Sequence, residues 1–337
     1  MNEEVKNKIE KMNNLVELHL HLDGALSINN CRNLAEIQNI NIPKDDNEIL
    51  NLITVKPGCQ DLNEFLTKFE FPLSLLQTVD GIKNSIKTLQ EELINQGIVY
   101  AEIRFAPQLH LNKGLTQEEV VDAAIEGLNS SKLKSNLILC CMRGNNNHDE
   151  NIETVRIAKK YLGKGVCAID LAGAEGLYKT EYFKDIFAYA KELEIPFTIH
   201  AGEADGPKSV NDAISFGAKR IGHGVRAIED PNTVKLIADK KITLEICPTS
   251  NICTSVYNKI SDIPIKHFIN NGINITINTD DPSICNTNLK NELKLITDTF
   301  NLTYDDIIKL QLNAINASFA SSEVKEEIIN MVIKWKI

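Results

Sequence analysis

The chain has 337 residues, 43% of them hydrophobic and 24% charged, with a formal net charge of −10. That composition supplies a sizeable buried core, yet no stretch approaches the roughly 18 apolar residues that a membrane span requires. The acidic balance leaves no basic excess to neutralise phosphates, so the expected partner is a small molecule rather than a nucleic acid or a membrane.

Residues 1–14 are charged and carry no apolar run with a small-residue cleavage site, which makes the cytoplasm the expected compartment. The eight cysteines include the neighbours Cys140 and Cys141 but no C-x-x-C pair, and they read as reduced, mostly buried thiols.

In chain order, short β-branched or apolar runs occur at 15–20, 99–105, 136–142, 166–171, 197–199, 220–221, 242–246 and 273–277. Segments with helical periodicity separate most of them, including 118–128, 152–161, 182–193, 232–238 and 263–269. Strand then helix, repeated, predicts a parallel sheet of α/β class. Eight units favour a closed (β/α)8 TIM-type barrel over an open doubly wound sheet, and no G-x-G-x-x-G follows any run. No internal repeat or Pro/Gly/Ser-rich linker divides the chain, so residues 1–337 read as a single domain.

One connection is too long for a single crossover helix: nearly eighty residues separate His21 from Val99, which predicts a helical insertion at about 40–80. Within it Leu62, Phe65, Leu66, Phe69, Leu73 and Leu76 roughly follow helical spacing, and Pro72 should kink or break that helix. The segment is either an outer helix packed on the barrel or an apolar lid over its mouth.

On an extended strand residues two apart share a face, so His19 and His21 present two imidazoles side by side. Taken alone, the pair fits either hydrogen-bonded histidines at a strand end or a metal site. Barrel active sites are assembled at the carboxyl ends of the strands. Here those ends carry His19, His21 and Asp23, then Arg143, Asp170 and Gly173, His200 and Glu203, His223, Ser250 and Asn251, and finally Asp280 and Asp281. Four of the seven histidines stand at such ends, whereas His110, His148 and His267 fall in loops or predicted helices as structural or solvated residues. His19, His21, His200 and Asp280 would converge at the barrel mouth, a donor set that suits Zn²⁺ while leaving Fe²⁺, Co²⁺ and Mn²⁺ open. No lysine ends the fourth strand to bridge a second ion, since Lys164 precedes that strand. One ion per chain is expected, with only Asp170 keeping a second conceivable.

Six segments, Glu17-Leu-His-Leu-His-Leu-Asp-Gly24, Asp170-Leu-Ala-Gly173, Ile199-His-Ala-Gly-Glu203, Ile221-Gly-His-Gly224, Cys247-Pro-Thr-Ser-Asn251 and Asn278-Thr-Asp-Asp-Pro282, resemble the adenosine deaminase family in order and spacing. The similarity runs from about residue 15 to about residue 320. It implies that His19, His21, His200 and Asp280 bind one Zn²⁺ per chain, and that Glu203 exchanges a proton with the purine ring. It further implies that His223 and Asp281 handle the attacking water and ring N7, that Gly173 contacts the purine through its backbone, and that Asp23 holds the ribose. The other class of zinc deaminase is not indicated, since its P-C-x-x-C element does not occur.

The implied activity is hydrolysis of adenosine, and of 2'-deoxyadenosine, to inosine and ammonia in purine salvage. A carboxyl three residues beyond a metal ligand is well placed to donate to the ring nitrogen next to the attacked carbon, provided that burial keeps Glu203 protonated. Alternatives on the same barrel are an adenine or modified-adenosine deaminase, a metal-dependent amide or ester hydrolase, and an inactive barrel serving as a binding module. Asp23 bears on the first, because the adenine deaminases similar to this family tend to carry glutamate there. The oligomeric state is not legible.

Overall fold

The computed structural model describes residues 2–56 and 59–334. Its strands are β1 (Leu15–His21), β2 (Ile98–Phe105), β3 (Lys134–Met142), β4 (Val166–Ala172), β5 (Thr198–Ala201), β6 (Arg220–His223), β7 (Thr243–Ile246) and β8 (Ile275–Ile277), with helices between them. Neighbours pair in parallel in the orders β1-β2-β3-β4 and β5-β6-β7-β8. Bridges from Ile169 to Phe197 and from Leu20 to Asp280 join the two runs into the expected (β/α)8 barrel. At the second junction His21 N–H donates to the Asp280 carbonyl and Asp280 N–H to the His19 carbonyl, both at 2.8 Å. Closing the barrel therefore sets the ends of β1 and β8 side by side.

Strands buried on both faces read as continuous apolar runs, which is why most of them were visible in the sequence. The two shortest runs, at 197–199 and 220–221, extend in the structure through His200 and His223, so both histidines are themselves strand residues. Gly222 shows why the second run looked so short. A Cβ there would lie 3.0 Å from the His19 ring, so a barrel-interior position holds the smallest residue. β1 is also less regular than simple alternation suggests, since Glu17 pairs with Ala101 and Leu20 with Ile103, leaving one extra residue in β1. Glu17 is turned aside by this bulge and accepts from His19 N–H at 3.2 Å and from Thr279 Oγ1 at 2.9 Å.

Outside the barrel, helix His148–Tyr161 packs on β3 and β4, and Tyr304–Ala317 on β8 and β1. Thr116 and Thr303 open their helices with reciprocal capping boxes to Glu119 and Asp306. One apolar core extends from Val5 near the start of the chain to Val332 near its end. No helix among the described residues is long and apolar enough to cross a membrane.

The long connection after β1 begins with Ile28–Gln38 and ends with Val79–Asn95, which pack on each other. Between them lie Asp46–Ile53, Leu62–Leu66 and Glu70–Leu75, with a 3₁₀ turn at Thr67–Phe69. The break expected from Pro72 is present, displaced upstream: the proline sits in the first turn of Glu70–Leu75, where a missing N–H costs no helical hydrogen bond. Phe65 packs with Leu62, Ile284 and Cys285 in a satellite cluster, while Leu66, Phe69 and Leu73 line a cavity at the barrel mouth.

Candidate active site

The imidazoles of His19 and His21 meet both His200 and the Asp280 carboxylate at the barrel mouth. His19 Nε2 lies 3.0 Å from both His200 Nε2 and Asp280 Oδ1, and His21 Nε2 lies 3.2 and 3.3 Å from the same two atoms. His223 stands just behind: one ligand atom from each of His19, His200, His223 and Asp280 falls within 4.8 Å of the others, a cluster that can hold a metal ion. Its Nε2 is farther off, 3.8 Å from Asp280 Oδ2 and 3.6 Å from Glu203 Oε2. Asn251 Nδ2 donates to His223 Nδ1 at 3.2 Å and Ser250 Oγ to Asp280 Oδ2 at 2.6 Å, so the helix after β7 steadies both. His223 and Asp280 are held at φ of 60° and 63°, a left-handed conformation uncommon for non-glycine residues.

Below the histidines runs a fully buried chain of charge. His19 Nδ1 bonds Glu245 Oε2 at 2.7 Å, and His200 Nδ1 lies 2.8 Å from Asp170 Oδ2. Arg104 joins the two carboxylates, with Nη1 2.8 Å from Asp170 and Nη2 2.9 Å from Glu245. Burial opposes ionisation of these carboxylates, but His200 and Arg104 hold Asp170 well below the usual range, and Arg104 with Arg220 does the same for Glu245. Carboxylates on both Nδ1 atoms leave the Nε2 lone pairs pointing at one another and at Asp280, a convergence of acceptors that a cation resolves. Those four separations of 3.0–3.3 Å are close to the edge of roughly 3.3 Å in a tetrahedron with 2.0–2.1 Å bonds. Asp170, the one group left for a second ion, is occupied by Arg104 and His200.

The other site residues surround this cluster. Burial, with Asp280 adding to it, pushes Glu203 up to about 8, the direction a proton donor needs. Asp281 is raised well above its usual range by burial and by Asp280, Asp23 and Glu203, whereas burial keeps His21 and His223 well below theirs and so neutral. Asp23, Gly173 and His21 line a cavity of about 270 Å³ that Leu66, Phe69 and Leu73 cover with apolar surface. Of the remaining histidines, His110 is buried with Nδ1 2.8 Å from the Leu76 carbonyl, and His148 and His267 are exposed.

Gly24 ends the first motif for a steric reason. A Cβ on it would fall 1.8 Å from Asp281 Oδ1, so the aspartate occupies the space that a side chain would need. Gly24→Ala is expected to displace Asp281 and lower turnover by roughly 10²-fold, the usual effect of a misplacement near 1 Å. Steady-state kinetics with thermal unfolding checks this, and unchanged turnover would place Asp281 outside the reaction.

The structure gathers at the barrel mouth the nine residues assigned roles from sequence, but sequence reasoning missed Arg104 and Glu245, which lie behind His19 and His200, and Glu175, which accepts from Glu203 N–H. The first two lay inside runs read only as apolar, at 99–105 and 242–246, where a charged residue was itself the signal, because a buried charge needs a partner.

The sequence pattern of the adenosine deaminase family matches residues 14–335. An adenosine deaminase from Haemophilus ducreyi is 44% identical over 324 residues, 94% of each chain, and one from Enterococcus faecalis is 37% identical over 92% of this chain and 93% of its own. Among solved structures, an adenine deaminase from Arthrobacter aurescens superposes with a TM-score of 0.85 at 25% identity, covering 95% of this chain and 98% of its own. An N6-methyl-AMP deaminase from Arabidopsis thaliana gives 0.84 at 25% identity, covering 98% of both chains. Fold and site together define a (β/α)8 barrel deaminase with a histidine and aspartate cluster that can hold a metal ion. The chain belongs to the adenosine deaminase family and is a hydrolase acting on adenosine.

Proposed function

We propose that the chain converts adenosine, and 2'-deoxyadenosine, to inosine and ammonia with one Zn²⁺ held by His19, His21, His200 and Asp280. The observation that carries this reading is the cluster in which His19 Nε2 and His21 Nε2 each lie 3.0–3.3 Å from both His200 Nε2 and Asp280 Oδ1. When bound, the ion supplies a nucleophile at neutral pH by lowering the pKa of water from 15.7 to about 7.

The chain's own residues do the rest. Glu203, protonated, donates to the ring nitrogen beside the attacked carbon, and neutral His223 accepts or positions the proton of the attacking water. Asp281, also kept protonated, donates to N7. Gly173 offers its backbone to the purine edge, at a φ of 104°. Asp23 takes the ribose hydroxyl. Arg143, the one lysine or arginine on the cavity wall among the described residues, already donates to the Tyr178 and His200 carbonyls and to Thr180 Oγ1. Both of its Nη groups are thus committed to the protein, which favours a nucleoside over a nucleotide. The eight free thiols, mostly buried, suit a reducing cytoplasm, and the apolar residues over the cavity suit a lid role for the insertion.

Purified enzyme is expected to release ammonia from adenosine and to carry one equivalent of zinc, measured by elemental analysis; two equivalents would overturn the mononuclear site. His19→Ala should abolish activity and lower the thermal midpoint, because an ion that binds only the folded state stabilises it.

A further inference from the structure

Beyond Ala201 the chain leaves the barrel, and the backbone donors of the turn bearing Glu203 have no strand partner. They converge instead on Glu175, a fully buried carboxylate three residues past the end of β4 and absent from the cavity wall. Glu175 Oε1 accepts from Gly202 N–H at 2.7 Å, and Oε2 accepts from the N–H groups of Glu203, Ala204 and Asp205 at 3.0, 2.7 and 3.0 Å. Ser209 Oγ donates to Oε1 as well. Successive amides wrapped on one carboxylate make an anion nest, and each bond is charge-assisted. The turn has no slack, since Gly202 has a φ of 70° and a Cβ on it would meet Val210 Cγ2 at 2.5 Å. Further support links Ser209 Oγ to Thr180 Oγ1 at 2.6 Å, and Thr180 to Arg143, which also donates to the His200 carbonyl.

We infer that Glu175 is a positioning residue for the deamination: by holding the amides of residues 202–205 it aims the Glu203 carboxyl at the purine ring without touching substrate itself. The inference rests on the proposed role of Glu203 as proton donor. It is distinct from holding the fold together. The bonds of Glu175 concentrate on one turn and on the first turn of the helix Pro207–Phe216 that follows it. The nearby negative charge also adds to the burial and to Asp280 in favouring protonated Glu203.

A double-substitution cycle tests this. Glu175→Gln puts an amide NH₂ against backbone donors, so kcat on adenosine should fall about 10-fold or more while KM moves less than about threefold and zinc stays at one equivalent. In a Glu203→Gln background the same change should cost less than about twofold, because its effect is transmitted through Glu203. Binding of a purine riboside hydrated at the reacting carbon should weaken in step with kcat, and binding of inosine should not. Unchanged kcat in Glu175→Gln, or an equal loss in both backgrounds, would overturn the inference and leave the role of Glu203 standing. Near-normal turnover in Glu203→Gln alone would remove that role, and the inference with it. If Glu175→Gln fails to fold, Ser209→Ala and Glu175→Asp carry the same cycle, and coupling to Glu203 in neither would also overturn it.

Discussion

Glu203→Gln is expected to lower turnover by roughly 10² to 10⁴ while zinc stays bound, the loss typical of removing a positioned general acid. Glutamine matches the shape of glutamate and leaves the nest around residues 202–205 undisturbed, so the change isolates the proton. The physical case lies in where the carboxyl sits. It is buried, it faces His223 Nε2 at 3.6 Å, and burial with the neighbouring Asp280 pushes it up to about 8. A group protonated near neutrality and set beside a metal cluster can give its proton to a ring nitrogen as the carbon next to it is attacked. A purine riboside hydrated at that carbon should accordingly bind the unsubstituted enzyme 10² or more times as tightly as inosine, because it resembles the transition state. Glu203→Gln should narrow the gap. Ammonia release, metal content and inhibitor titration measure all three quantities, and near-normal turnover would take Glu203 out of the mechanism.

The barrel and its polar rim were legible because parallel strands buried on both faces leave apolar runs, and a functional end interrupts each run with a polar residue. His200 and His223 are legible in this way even though the apolar runs 197–199 and 220–221 stop short of them. The supports were harder to see. Glu245 looks like a lone charge in an apolar strand and Arg104 shares its strand with Glu102, and only the closed barrel brings Arg104 and Glu245 within 2.9 Å of one another. Glu175 stands beside Gly173 in sequence, yet its role depends on a turn that begins 27 residues later. The pairing of Glu17 with Thr279 spans 262 residues and depends on a bulge that no periodicity announces. Local pattern reports which residues face inward; it does not report which distant backbone will come to meet them.

The unsubstituted enzyme is expected to use adenosine at least 10³ times as efficiently as adenine, since a site built to bond a hydroxyl discriminates strongly against a ligand without one. Asp23 is the proposed source of that preference. Two residues beyond His21, it lines the cavity next to the metal cluster, is 5% exposed, and has an Oδ1 with no hydrogen-bond partner. Burial pushes its carboxyl up to about 6. An unpaired polar atom in such a place costs roughly 1–3 kcal/mol. A ribose hydroxyl relieves the cost, and adenine, carrying no sugar, leaves it in place. Leu66, Phe69 and Leu73 offer only apolar contact, and the Arg143 Nη groups are engaged elsewhere. Asp23→Ala should therefore erode the ratio mainly through a poorer reaction with adenosine, with zinc content unchanged and adenine turnover little altered. Competition between the two substrates, followed by loss of the aminopurine absorbance, gives the ratio directly. A preference for adenine in the unsubstituted enzyme would contradict the nucleoside assignment. A ratio unmoved by Asp23→Ala would shift the discrimination to another part of the cavity wall.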